Sequence, residues 1–251
     1  MPELNNWLYR IPLVQWLNDM GPRLERAFLD NDRWKLYLQG LGVTLELTVV
    51  ALVFGVLLGL VVATVRTAHD QQRPGRHNPL LGLLNILCQV YTTVIRGTPM
   101  LVQLYIWTFV IFPSQRNKVL VGFIGLGVNS GAYVAEIIRG GLMSVDQGKS
   151  EASRSLGLNY FDTMRFVVIP QAFKNILPSL GNEFITLFKD TSLVQAIGGM
   201  EMLYYASTIG GRTFDYMPPL IGIAIMYLAV VIIFTWLQGR LERRLRQSDR
   251  R

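Results

Sequence analysis

Amide, hydroxyl and ionisable side chains recur at helical spacing inside stretches of this chain that are otherwise apolar. IRGTPMLVQ puts Arg96, Pro99 and Gln103 on one side of a helix, and Thr98-Pro99 loosens that helix because proline removes a backbone hydrogen bond. Farther along, Asn129, Tyr133, Glu136 and Gly140 fall at i, i+4, i+7 and i+11, one polar stripe. GNEFITLFKDTS presents Asn182, Glu183 and Thr186, then Lys189, Asp190, Thr191 and Ser192. Within a membrane such groups are costly and face a cavity or a partner. Two readings stay open for each cluster. One is interhelical hydrogen bonding that holds spans together, with Lys189 and Arg139 snorkelling to an interface. The other is a polar path near mid-membrane, where both signs of charge suit a zwitterion.

Covalent chemistry has no visible machinery. Gly148-Lys149-Ser150 looks like the end of a phosphate-binding loop, but position 143 is Met and the nearest earlier glycine is Gly141. No buried strand precedes it, so the device is not complete. There is no G-x-S-x-G turn and no histidine beside a serine. Cys88 is the single cysteine, which excludes an internal disulfide. The two histidines, His69 and His77, flank a polar loop, and no zinc or iron site suggests itself.

The elements that must position these residues are membrane spans. Of 251 residues 51% are hydrophobic and only 16% charged, where soluble domains carry about 25% charge. Gly42 to Val65 holds one ionisable residue, Glu46, and is long enough for a bilayer core, which needs about 20 helical residues. Further runs at 80–112, 119–143, 173–202 and 217–237 make five expected spans in an all-α membrane protein. Gly55 and Gly59, four apart, let another helix approach closely. Residues 1–35, with Trp7, Trp16, Phe28 and Trp34, are expected at the outer interface; the opening MPELNNWLYR lacks the pattern of a cleaved signal peptide. Residues 36–237 form one membrane domain and 238–251 a basic tail. Lys and Arg number fourteen on one set of alternating segments against eight on the other. That bias puts the tail and the 146–172 loop in the cytoplasm and the N-terminus outside. The positive charges sit at membrane edges without interleaved aromatics, which argues against a nucleic-acid surface.

The most ordered wet stretch is EASRSLGLNYFDTMRFVVIP, Glu151 to Pro170. It reads as a helix capped by Ser150, broken at Gly157, restarted at Asn159 and stopped at Pro170. The small residues Ala152, Ser153 and Gly157 leave a low surface suited to another protein's groove.

At these residues the chain resembles the permease subunits of bacterial ABC importers. Their cytoplasmic signature reads E-A-A, three residues, G, nine residues, I-x-L-P, and appears here as Glu151-Ala152-Ser153, Gly157 and Val167-Val168-Ile169-Pro170. IRGTPMLVQL, GAYVAEIIRGG and PQAFKNILPSLGNEFITLFKDTSLV resemble the polar amino acid permeases, over roughly residues 40 to 237. The resemblance implies a type I importer half in a bacterial cell membrane. Glu151, Ala152, Ser153, Arg154, Gly157 and Pro170 would shape a coupling element docked on an ATPase subunit, with Arg154 and Arg165 pairing with its acidic groups. Arg96, Asn129, Tyr133, Glu136, Glu183, Asp190, Thr191 and Ser192 would line the translocation path. It also implies a second permease, identical or related, and an external solute-binding protein that delivers a polar amino acid. ATP and Mg would sit on the ATPase, and this chain would hold no cofactor.

Two other classes remain to be weighed. A stand-alone secondary carrier or channel would use Glu136 or Glu183 as a proton or ion site, but such folds often show two related halves, and none is seen. An intramembrane enzyme would need an acid, base or nucleophile set that is not visible.

Overall fold

The structure is a computed structural model that describes residues 19–72 and 78–248. Trp7, Trp16, part of the 66–79 loop with His77, and the last three residues of the basic tail lie outside the described residues. Among the described residues the regular elements are all helical.

Helix α1 (Trp34–Asp70) is followed by α2 (Pro79–Gly97) and α3 (Met100–Tyr105), which wider π turns continue over Ile106–Ile111. Next come α4 (Lys118–Met143), α5 (Gln147–Ser155) and the one-turn α6 (Tyr160–Thr163). A π segment, Met164–Val168, leads into α7 (Ile169–Asp190); after it come 3-10 turns (Thr191–Ile197), α8 (Met202–Thr213) and α9 (Met217–Ser248).

The five expected spans correspond to α1, α2 with α3, α4, α7 and α9. Four of these helices, α1, α2, α4 and α9, are long and apolar enough to cross a membrane. By that measure α7 falls short; Gln171, Asn175 and Asn182 lie within it beside Lys174 and Glu183 and lower its mean hydropathy. The run expected to continue to Met202 stops as α-helix at Asp190 and turns at Gly198, whose φ of 84° is left-handed. The large exposed side chains of α1, α2 and α9, such as Leu57, Ile86 and Ile232, suit lipid rather than water.

Small residues decide where helices meet. Between spans there is little hydrophobic drive, so close backbone approach and dispersion hold the bundle together. Helix α1 packs chiefly on α4. A methyl group added at Gly55 would lie 2.8 Å from the Ser130 side chain, and one at Gly59 2.8 Å from that of Val134. Leu47, Ala51, Leu104, Val121, Leu126 and Leu187 form the main core beside that seam. A second core joins Tyr37, Met202, Ala206, Ile209 and Ile223.

Caps explain most boundaries. Asn78 accepts from the amides of Leu80 and Leu81 ahead of Pro79, which suits the first helical turn. Helix α2 stops where Thr98 and Pro99 are both extended. Helix α5 is capped by Asp146, whose carboxylate accepts from Gly148 N at 2.8 Å, and not by Ser150 as expected. The break at Gly157 (φ 88°) and the Asn159 cap fall where the sequence puts them. Pro170 does not stop the helix. It sits in the first turn of α7, just after the wide π turns, where its missing N–H costs little. Farther along, Gln238 of α9 donates to Pro178 O and to Asn182 Oδ1, both at 3.0 Å, and ties α9 to the middle of α7.

Candidate functional site

The polar clusters separate into three places. The first is a cavity of ≈ 470 Å³ lined by Arg66, Gln89, Thr92, Thr93, Arg96, Gly97 and Glu136. Arg96 lies in the last turn of α2, is exposed, and stands over the Tyr133 ring, 5.4 Å from its centroid. No carboxylate lies within ion-pair distance of Arg96 among the described residues. Glu136 is engaged from two sides. Arg66 of α1 reaches its Oε1, and Arg139, one turn on, donates to Oε2 at 3.1 Å. Sequence reasoning missed Arg66, which lies 70 positions from Glu136. Its available signal was its place as the first charge after the Gly42–Val65 run.

The second place is the break in the α2–α3 span. Asn129 on α4 donates to Gln103 Oε1 at 3.1 Å, so it is joined to the break and not to the cavity. Its neighbour Ser130 is buried and donates to Glu183 Oε1 at 2.8 Å, bridging α4 to α7. Glu183 therefore lies on another side of α4 from Tyr133 and Glu136. Ser130 was also missed, since a lone serine among glycines and alanines carries no pattern.

Farther along α7 and its end lie Asp190, Thr191 and Ser192. The Thr191 hydroxyl is fully buried and donates to Phe188 O at 2.7 Å, while that of Ser192 donates to Lys189 O at 2.8 Å. Both hydroxyls are used on carbonyls of the last turn, so these two residues end α7. The structure thus brings together Arg96, Tyr133 and Glu136, attaches Asn129 at one remove, and leaves the remaining four apart.

The wet elbow is the other candidate. Glu151, Ala152, Arg154, Gly157 and Pro170 are exposed. Ser153 is buried, donating to Lys149 O at 2.6 Å, so it supports the elbow from behind instead of forming its outer surface. Leu156 is 85% and Phe161 67% exposed, beside the exposed Tyr160. Three large apolar side chains on one polar loop mark a contact surface. Lys149 donates to Gln171 at 2.9 Å, Asn175 to Ser144 at 2.8 Å, and Tyr160 to Gln71 at the end of α1. The elbow is fastened to the end of α1 and to α7, and α7 in turn to the residue that follows α4. Its Gly148-Lys149-Ser150 lies inside α5 with the Asp146 carboxylate on the Gly148 amide, which puts negative charge where a phosphate-binding loop would need phosphate. Among the described residues no three His, Cys, Asp or Glu side chains converge as a metal site.

Comparison with known proteins adds the following. Residues 78–247 match the family described as binding-protein-dependent transport system inner membrane component. The arginine transport system permease protein ArtQ of Bacillus subtilis (strain 168) is 35% identical over 215 residues, covering 84% of this chain and 93% of that one. The crystal structure of an amino acid ABC transporter with histidines superposes with a TM-score of 0.75 at 40% identity, covering 84% of this chain and 94% of that one. An inward-facing MetNI methionine ABC transporter shares the fold, with a TM-score of 0.70 at 20% identity over 86% of this chain and 99% of that one.

Proposed function

The chain belongs to the binding-protein-dependent transport system inner membrane components, and on that premise we propose that it is the permease half of an importer for a polar amino acid. It is a multi-pass membrane protein, and its work is to open a path, not to make or break bonds. A second permease, identical or related, completes the pathway. An ATPase subunit holds ATP and Mg and docks on α5 and α6. A solute-binding protein delivers the amino acid from outside. The observation that supports this most is the 40% identity to a solved amino acid ABC transporter across nearly all of both chains.

The cavity chemistry refines the substrate reading. Glu136 is neutralised by two guanidinium groups, so its role is to hold Arg66 and Arg139 and not to receive an ammonium. Arg96 is the cation left for a solute carboxylate, with Tyr133 beneath it as a flat support. Glu183 and Asp190 have no ion-pair partner among the described residues and are the groups open to a cationic end. At the elbow, Leu156, Tyr160 and Phe161 fill a groove on the ATPase, while Glu151, Arg154 and Arg165 set register around them. The cross-ties to Gln71 and Gln171 deliver the motion of the elbow to α1 and α7.

The test is reconstitution in proteoliposomes with the ATPase and binding protein, using a panel of labelled amino acids. ATP inside the vesicles should drive uptake of one polar class. Uptake that ignores ATP and follows a proton gradient would return the chain to the secondary-carrier reading.

A further inference from the structure

The break in the α2–α3 span contains a side chain that none of these roles employs. Gln103 is 5% exposed, yet its amide makes four polar contacts. Its Nε2 donates towards Ile95 O at 2.7 Å, Thr98 Oγ1 at 2.8 Å and Thr98 O at 3.1 Å. Its Oε1 accepts from Asn129 Nδ2 at 3.1 Å. The orientation of the amide is dictated by chemistry. Both carbonyls can only accept, and the Thr98 hydroxyl gives its own proton to Val94 O at 2.8 Å, leaving a lone pair for Gln103. Flipping the amide would set oxygen against three acceptors.

Ile95 and Thr98 bracket Arg96 and Gly97, the last two residues of α2. A helix end within a membrane has carbonyls that lack intrahelical partners, and they must be met by protein. One amide that grips a carbonyl on each side of Arg96 fixes where that residue's backbone sits and how it enters the cavity. Asn129, on a different helix, fixes the amide in turn.

We propose that Gln103 is a positioning residue for solute recognition: by clasping Ile95 O and Thr98 O it holds Arg96 in the geometry that receives a solute carboxylate. This rests on the reading of Arg96 given above. Gln103 touches no solute itself and acts only through Arg96.

The experiment measures ATP-driven uptake in proteoliposomes for Gln103→Leu, Arg96→Ala and the double variant, with wild type as reference. Gln103→Leu should raise KM about tenfold, the scale of one buried hydrogen-bonding site, while the maximal rate falls less than about threefold. The double variant should have the KM of Arg96→Ala alone, because groups acting in series are not additive. Equal KM for Gln103→Leu and wild type, or effects that multiply in the double variant, would overturn the proposal. If Arg96→Ala leaves KM unchanged, the proposal falls together with the role of Arg96. If only the Gln103 variant is silent, the role of Arg96 stands. Gln103→Met, of matching length, decides the matter if Gln103→Leu does not assemble with the ATPase. Failure of both to assemble overturns the proposal by making Gln103 a determinant of the fold.

Discussion

Glu136 and Glu201 are both carboxylates held within the helical bundle, and the chain compensates them by different means. Glu136 sits between Arg66 and Arg139, so full charges answer it. Glu201 is fully buried, and among the described residues no cation pairs with it. Its oxygens accept from the amides of Leu203 and Tyr204, each at 2.8 Å, and from the Tyr227 hydroxyl at 3.2 Å. It is the N-cap of α8, and the helix end supplies the positive potential. The first arrangement takes three side chains from two helices and stands beside a cavity. The second takes two amides of the turn that follows and one phenol, and seals a core. Cations brought from afar leave a site adjustable, whereas a cap built into the backbone makes it rigid.

The largest expected effect comes from breaking the rigid member. Glu201→Ala removes the cap and strands two half-buried amides and a phenol, at a cost on the order of 2–3 kcal/mol. Thermal unfolding of the detergent-solubilised protein should then begin roughly 5–10 °C lower. Next is Arg66→Ala, which leaves Glu136 with only Arg139 and should cost about 1–2 kcal/mol. Adding Glu136→Gln to Arg66→Ala should recover part of that loss. A double variant less stable than Arg66→Ala would show that Arg66 acts by packing and not by charge. Tyr227→Phe deletes one of the three donors to Glu201 and should cost about 1 kcal/mol or less in the same assay.

The smallest effect concerns an ion pair outside both clusters. Arg23 meets Asp215 at 2.6 and 2.8 Å, between the segment before α1 and the α8–α9 turn. Hydrogen bonding to the Arg23 guanidinium holds the Asp215 carboxyl below its ordinary range. Its folded pKa is depressed, so its contribution is present above the unfolded value, about 3.9, and is lost as pH falls through the folded value. Arg23→Gln should therefore lower the melting temperature slightly at pH 6, and the difference from wild type should close as the pH drops below about 4. A difference that persists in acid would assign Arg23 a packing role.

The same contrast governs what the sequence discloses. Gly157, Asn159 and the helical restart between them are local devices, complete within a few residues, and they are legible. The polar spacing on α4 is legible for the same reason, whereas Thr98-Pro99 reads only as a loosening of one helix carrying Arg96, Pro99 and Gln103 on one side, and the structure ends α2 there and starts α3 anew. The Arg66–Glu136 and Ser130–Glu183 pairs are not, because each joins separate helices whose register depends on tertiary packing. Glu201 is local yet hidden, since an apolar run to Met202 reads as one span and conceals the turn at Gly198. From the sequence Ser150 reads as the cap of α5, because serine suits that place. Asp146 starts the helix one turn earlier and wins through its charge.

The seam of Gly55 and Gly59 against Ser130 and Val134 has a mechanical consequence. Side chains there already stand where a single added carbon would collide, so α1 and α4 cannot slide past one another without prising apart. The pair is a chassis. Any rearrangement that accompanies transport leaves this seam closed, and the chassis travels as a single piece.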